Sequence, residues 1–383
     1  MFNFKITSTL AALAALTGTL AQNPTWTNSL HGPFTPISLN ATDGSISAAF
    51  VPHGAAITEL WVKDRNGTKR DITLGYDNRT LYADDPSHPN FGPIVGRYAN
   101  RIKNNTYTDP ETNTTYYSEA NENNGLDTLH GGPYGWSWRV WTVSNVTNSS
   151  VSFTFYDPEL VGGFPGSVLA ELTYSLLPGG VWDIVLNANA SSRTPLLLSS
   201  HVYWNLDGYA GGNATDAVKE WELVMPYADQ VVATDTILIP TGEFINVTDT
   251  AYNFLERRPI GSMWNETLGY PGLGGYGYDT CWRNNASISD NTTVLEASSP
   301  NSGIKMSVAT NQEAIQVYTC GGQNGTIPVK KSQGSGFYEK NSCMVVEMEG
   351  VIDAINNPEW DIDQWYSPER PYEWRATYTF SSE

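Results

Sequence analysis

Three cysteines in 383 residues are too few for a disulfide framework. Cys281, Cys320 and Cys343 allow one internal bridge, and all three pairings are open. No C-x-x-C or His-x-x-x-His spacing suggests a metal site. Long segments of helical periodicity are missing, and no run beyond residue 21 is apolar and long enough to cross a bilayer. Positive charge is scarce: 21 Lys and Arg stand against 40 Asp and Glu, a net charge of −19. Such a chain repels the phosphates of nucleic acid and of anionic lipid headgroups, so neither is an expected partner, and no obligate protein partner is implied.

What is present begins with "MFNFKITSTLAALAALTGTLA", residues 1–21: one early lysine, a short apolar stretch, then small residues at Thr19 and Ala21. This layout predicts a secretory signal peptide cleaved near Gln22, followed by one domain over 22–383. N-x-S/T sequons recur from Asn40 to Asn324, including one at Asn189 inside a strand-like run. Their density beside a signal peptide predicts a secreted, extracellular glycoprotein.

Apolar residues alternate with polar ones in "SVSFTFYD" (Val151, Phe153, Phe155) and "WRATYTF" (Trp374, Ala376, Tyr378, Phe380), the period of half-buried strands. Pro178-Gly179-Gly180 joins two β-rich runs and predicts a hairpin; Asn66-Gly67 and Asn324-Gly325 mark other turns. With 34 glycines, 22 prolines and a 12% aromatic share, the reading is all-β, a large antiparallel β-sandwich or barrel. The Asn- and Thr-rich stretch 104–124 is expected to be a long polar excursion between strands.

Several stretches carry chemistry. In "DTLHGGPYGWSWRVW", His130 precedes two glycines and then Trp136, Trp138 and Trp141. That composition suits a sugar site, because a pyranose packs an apolar face on aromatic rings while its hydroxyls need fixed polar partners; a turn followed by a core strand is the plainer reading. In "LLLSSHVYWNL", His201 ends an apolar run, a place where a ring can be held rigidly and partly desolvated. "FGPIVGRYANRI" supplies Arg97, Asn100 and Arg101. In "MVVEMEGVIDAIN", Glu347 and Glu349 lie two apart in an apolar run, on one face if the run is a strand.

"GPIVGRYANRI", "TLHGG", "SSHVYWNL", "GYDTCW", "NQEAIQVYT" and "EMEGVIDAIN" together resemble, in order and approximate separation, the motifs of aldose 1-epimerases, also called galactose mutarotases. The resemblance runs from about residue 45 to the C-terminal strand. It implies a galactose mutarotase-like supersandwich without cofactor or metal, acting on small-molecule aldose sugars. Matched residue by residue, it implies Glu347 as catalytic base and His201 as general acid, with Asn100, Arg101, His130, Asp279 and Gln316 as substrate contacts. The chain departs from the family pattern at Ser200 (usually asparagine), Trp204 and Trp282 (phenylalanine), Glu349 (glutamine) and Ile352 (proline).

Three other functions fit parts of this pattern. Glu347 and Glu349 would stand about 6.5–7 Å apart along a strand, within the range of inverting glycosidases, but both would approach a substrate from one side. The tryptophans alone would suit a secreted carbohydrate-binding module. Arg97 and Arg101 together would suit a hexose-phosphate epimerase of related fold.

Overall fold

The computed structural model describes residues 31–383 apart from 213, 270–276 and 286–287. The predicted signal peptide and the Asn213 sequon lie outside the described residues. Two antiparallel sheets face each other. The larger has nine strands, from its edge strand Thr142–Val146 through Ser150–Asp157, Val168–Leu177, Val181–Ala190 and Tyr372–Ser382 to Ile304–Thr310, Thr293–Ser298, Glu222–Val224 and Arg258–Pro259. The smaller has six, in the order Tyr203–Trp204, Met344–Glu349, Ala314–Tyr318, Asp279–Asn284, Ala228–Thr234 and Pro240–Asn246. A four-stranded sheet over residues 37–71 completes the main architecture. The α-helix Leu81–Asp84 is the only one among the described residues.

The alternation read in the sequence decides which face each strand buries. Trp374, Ala376, Tyr378 and Phe380 point into the main core, as do Leu172 and Leu186 from the hairpin that turns at Pro178-Gly179-Gly180. From the opposite sheet, Met344, Val346, Met348, Ile315, Val317 and Trp282 enter the same core. The two layers also touch through polar and ring contacts: Trp374 Nε1 donates to Met348 O at 2.7 Å, and the rings of Trp204 and Tyr378 lie 5.4 Å apart.

Met344–Glu349 differs from an ordinary sandwich strand because all six of its residues are buried. Its odd-numbered residues turn away from the main core, and there Val345 joins a second apolar cluster while Glu347 and Glu349 point at polar groups. A strand covered on both faces is normally apolar throughout. The two glutamates therefore need an explanation that the core does not supply.

Cys320 and Cys343 form the disulfide and Cys281 is free and buried. The bridge ties the end of Ala314–Tyr318 to the start of its neighbour Met344–Glu349, closing the long connection that contains Asn324-Gly325. From that connection, Lys330 reaches back to Asp71 at 2.8 Å and to Thr58 O at 2.7 Å. The stretch 104–124 is not a featureless excursion: Thr106–Asp109 and Thr114–Tyr117 pair as a hairpin, anchored by the buried ring of Tyr107.

Candidate active site

The pocket lies on the face of the six-stranded sheet opposite the main core. Register places Gln316 beside Glu347 and Cys281 beside Gln316, so these three side chains share one face. Asp279, two residues before Cys281, joins them and accepts a hydrogen bond from Gln316 Nε2 at 2.7 Å. Strand periodicity thus brings three distant segments to one wall.

Asn100, Arg101 and His130 come from a short ladder in which Arg101 pairs with Leu129. His130 N donates to Asn100 O at 3.0 Å, and Asn100 N donates to His130 Nδ1 at 3.1 Å. Both residues have left-handed backbone, φ 58° at Asn100 and 52° at His130. Gly131 follows because a Cβ there would sit 2.2 Å from Gly96 O. The glycine in "LHGG" is therefore a packing requirement of the turn that presents the imidazole.

His201 is held between the loop 90–93 and the sheet. Its N–H donates to Pro93 O, its carbonyl accepts from Gly92 N, and Nδ1 lies 3.1 Å from Asn90 O. A carbonyl only accepts, so Nδ1 carries hydrogen and Nε2 is left to face the pocket, 3.6 Å from Glu347 Oε1. The rings of His130 and His201 meet edge to face at 5.0 Å.

These groups border a cavity of about 250 Å³. That is smaller than the roughly 300–1,000 Å³ of clefts that take drug-sized ligands. Asn100, Arg101, His130, His201, Asp279, Gln316 and Glu347, all expected from the sequence, line it together.

Burial dominates the electrostatics. It lowers the His201 pKa to about 4 and that of His130 well below the usual imidazole value. It raises Glu347 well above the ordinary carboxylate range, with the charges of Glu349 and Asp279 adding to the effect and Arg101 opposing it. Glu349 is pushed up to about 8, again mainly by burial. Arg101 does not neutralise this wall outright, because its guanidinium is bidentate to Glu122 at 2.6 and 2.9 Å. Burial thus favours the neutral forms of both facing groups, the carboxyl of Glu347 and the imidazole of His201.

Donor atoms of His130, His201 and Glu347 all lie within 4.8 Å of one another, a juxtaposition that residue spacing did not reveal. The donor set does not suit a metal. Nδ1 of His130 accepts from Asn100 N–H, so in the neutral ring the hydrogen sits on Nε2, which then faces outward as a donor rather than a ligand.

Other expectations change. Trp136 and Trp141 are core residues packed against Phe155, not a sugar platform. Trp138 stacks on His88. Arg97 is buried and spent on Asp157 at 2.8 Å and on the carbonyls of Pro165 and Gly166, which leaves it nothing to offer a phosphate. Conversely, His88, Asn90, Glu122, Tyr203 and Tyr318 border the cavity without having been singled out. Only Tyr203 carried a sequence signal, as an aromatic two residues after His201.

Comparison with known proteins agrees with this geometry. The profile of the family described as aldose 1-epimerase matches residues 37–379. A probable aldose 1-epimerase from Arthroderma benhamiae is 40% identical over 379 residues, covering 88% of this chain and 84% of its own. Galactose mutarotase from Homo sapiens is 32% identical, covering 80% of this chain and 82% of its own. The solved GalM/aldose epimerase homologue from C. elegans superposes with a TM-score of 0.77 at 28% identity, over 91% of this chain and 98% of its own. A galactose 1-epimerase from Lactobacillus acidophilus, at 19% identity and a TM-score of 0.71 over 91% and 94% of the two chains, shares the fold. With a family match over nearly the whole described chain and a relative 40% identical over most of both chains, the protein belongs to the aldose 1-epimerase family.

Proposed function

We propose that Glu347 is the base and His201 the acid of anomer interconversion. Glu347 takes the proton of the C1 hydroxyl, the C1–ring-oxygen bond breaks as the C1 carbonyl forms, and His201 Nε2–H protonates the departing ring oxygen. Rotation about C1–C2 turns the other face of the aldehyde toward the new hydroxyl. Reclosure returns the proton from that hydroxyl to His201 and the proton on Glu347 to the C1 oxygen. The sum is zero, as an isomerase requires.

The observation that carries this reading is the 3.6 Å approach of His201 Nε2 to Glu347 Oε1, with the other imidazole nitrogen fixed by Asn90 O. Burial by itself disfavours the separated charges. Bound sugar hydroxyls, with His130 Nε2–H and Arg101, supply the hydrogen bonds that the ion pair needs. Asp279 and Gln316 act as a coupled acceptor-donor pair for the hydroxyls on the far side of the ring.

Polarimetry on freshly dissolved α-D-galactose and α-D-glucose tests the reading. Accelerated mutarotation that disappears in Glu347→Gln supports it; unchanged mutarotation with sugar bound would indicate a binding module, and glycoside cleavage a hydrolase. Relatives named galactose mutarotase support galactose as the first sugar to try.

The enzyme is further proposed to be a secreted glycoprotein. The disulfide Cys320–Cys343 and the exposure of every described sequon asparagine, Asn189 among them, support this reading. Glycosidase digestion of protein recovered from culture medium, followed by intact mass measurement, tests it.

A further inference from the structure

Glu349 is fully buried, touches no cation among the described residues and does not border the pocket. Register puts it opposite Ala314, one strand pair along from Glu347 opposite Gln316, so the two carboxyls lie side by side on one strand face. Among the described residues its one hydrogen bond is a long one, from Asn100 Nδ2 at 3.4 Å to Oε1, and Oε2 has no partner. Asn100 is the residue whose backbone N–H fixes His130, so Glu349 sits behind both the base and one of the sugar contacts.

We propose that Glu349 is a positioning residue that shares one proton with Glu347, its charge setting the pH at which Glu347 becomes free to act as base. This rests on the assignment of Glu347 as base. Two carboxylates about 7 Å apart in a dry wall repel strongly. The groups facing Glu349 offer no relief: Asp279 and Cys281 on the sheet, Tyr98 from the loop after Val95, and Tyr372 from the opposite layer. Arg101 acts on Glu347 and Asp279 and is already held by Glu122. One member of the glutamate pair must therefore stay protonated over the range in which the other ionises.

The repulsion at that separation, taken with an effective dielectric of about 20, corresponds to a shift of about one to two pH units. Glu349→Gln keeps the shape and removes the charge. In pH profiles of kcat/KM for α-D-galactose mutarotation, this variant should keep its activity near neutrality, with its acidic limb displaced downward by about that amount. An acidic limb superimposable on that of the unaltered enzyme overturns the proposal, and so does a loss at every pH as deep as that of Glu347→Gln. Infrared titration of the buried carboxylic-acid carbonyl band gives a readout independent of activity. Over the background of the other buried carboxyls, Asp279 and Asp353, Glu349→Gln should lose one step and show the Glu347 step displaced downward; a Glu347 step left in place overturns the shared proton. Substantial turnover in Glu347→Gln would instead remove the base assignment, while the infrared titration would still decide whether the two carboxyls share a proton.

Discussion

His201 and Glu347 face each other at 3.6 Å, and the imidazole nitrogen that does not face the glutamate points at the carbonyl of Asn90. The pair is therefore oriented from two sides: Glu347 by a strand of the main sandwich, His201 by a loop that packs over it. Each partner fails in a different way when changed.

Glu347→Gln removes the proton acceptor but keeps the hydrogen-bonding shape. Turnover should fall by roughly 10²–10⁴-fold, the usual worth of a general base. Galactose should still bind, as measured by calorimetry.

His201→Asn should lower kcat by a similar factor of roughly 10²–10⁴. It should also remove a pH dependence of stability. The folded His201 pKa is about 4, below the unfolded value of about 6.5, so the unfolded chain binds more protons between them. That contribution is fully present above about pH 6.5 and is lost as pH falls through 4. Thermal melts of the variant should accordingly fall less steeply than those of the unaltered enzyme between those pH values.

Asp279→Asn keeps one oxygen for the 2.7 Å bond from Gln316 Nε2 but turns the other carboxylate oxygen, an acceptor for a sugar hydroxyl, into an NH2 donor. One misdirected polar contact to the sugar is worth about 1–3 kcal/mol. KM should rise by roughly tenfold or more, with kcat falling less, in initial-rate polarimetry.

Arg97→Met should destabilise the fold without a selective effect on sugar binding. It leaves Asp157 buried and unpaired, a loss of about 3–5 kcal/mol in denaturant titrations. A specific loss of phosphosugar binding would instead restore the phosphate reading that the buried Arg97–Asp157 pair removes.

Cys320→Ser paired with Cys343→Ser opens a loop whose ends are separated by 23 residues. Chain-entropy arguments put its worth at about 3 kcal/mol. Urea unfolding should show that loss, and kcat measured well below the midpoint should stay close to that of the unaltered enzyme.

The sandwich was legible because its strands carry a two-residue period, and the hairpin at Pro178-Gly179-Gly180 was legible from turn chemistry. Thr106–Asp109 and Thr114–Tyr117 were missed because threonine dominates them and Tyr107 is their one fully buried apolar anchor. Trp136 and Trp141 misled because a tryptophan suits a core as well as a sugar, and composition does not say which way it turns. Asn90 reaches His201 across 111 positions and does so with its backbone, a contact no side-chain motif encodes. Glu122 is likewise defined by Arg101, not by its own neighbours in sequence.

Glu347 shares a strand with Met344, Val346 and Met348, which serve the sandwich interior. A slip of one residue in that strand would exchange the two sets, sending both carboxyls into hydrocarbon and the methionines into the pocket. No partly assembled intermediate with a shifted strand can turn over sugar. Catalytic output in a refolding or heat-stressed sample should therefore count native molecules directly, a sharper gauge of correct strand alignment than total β content.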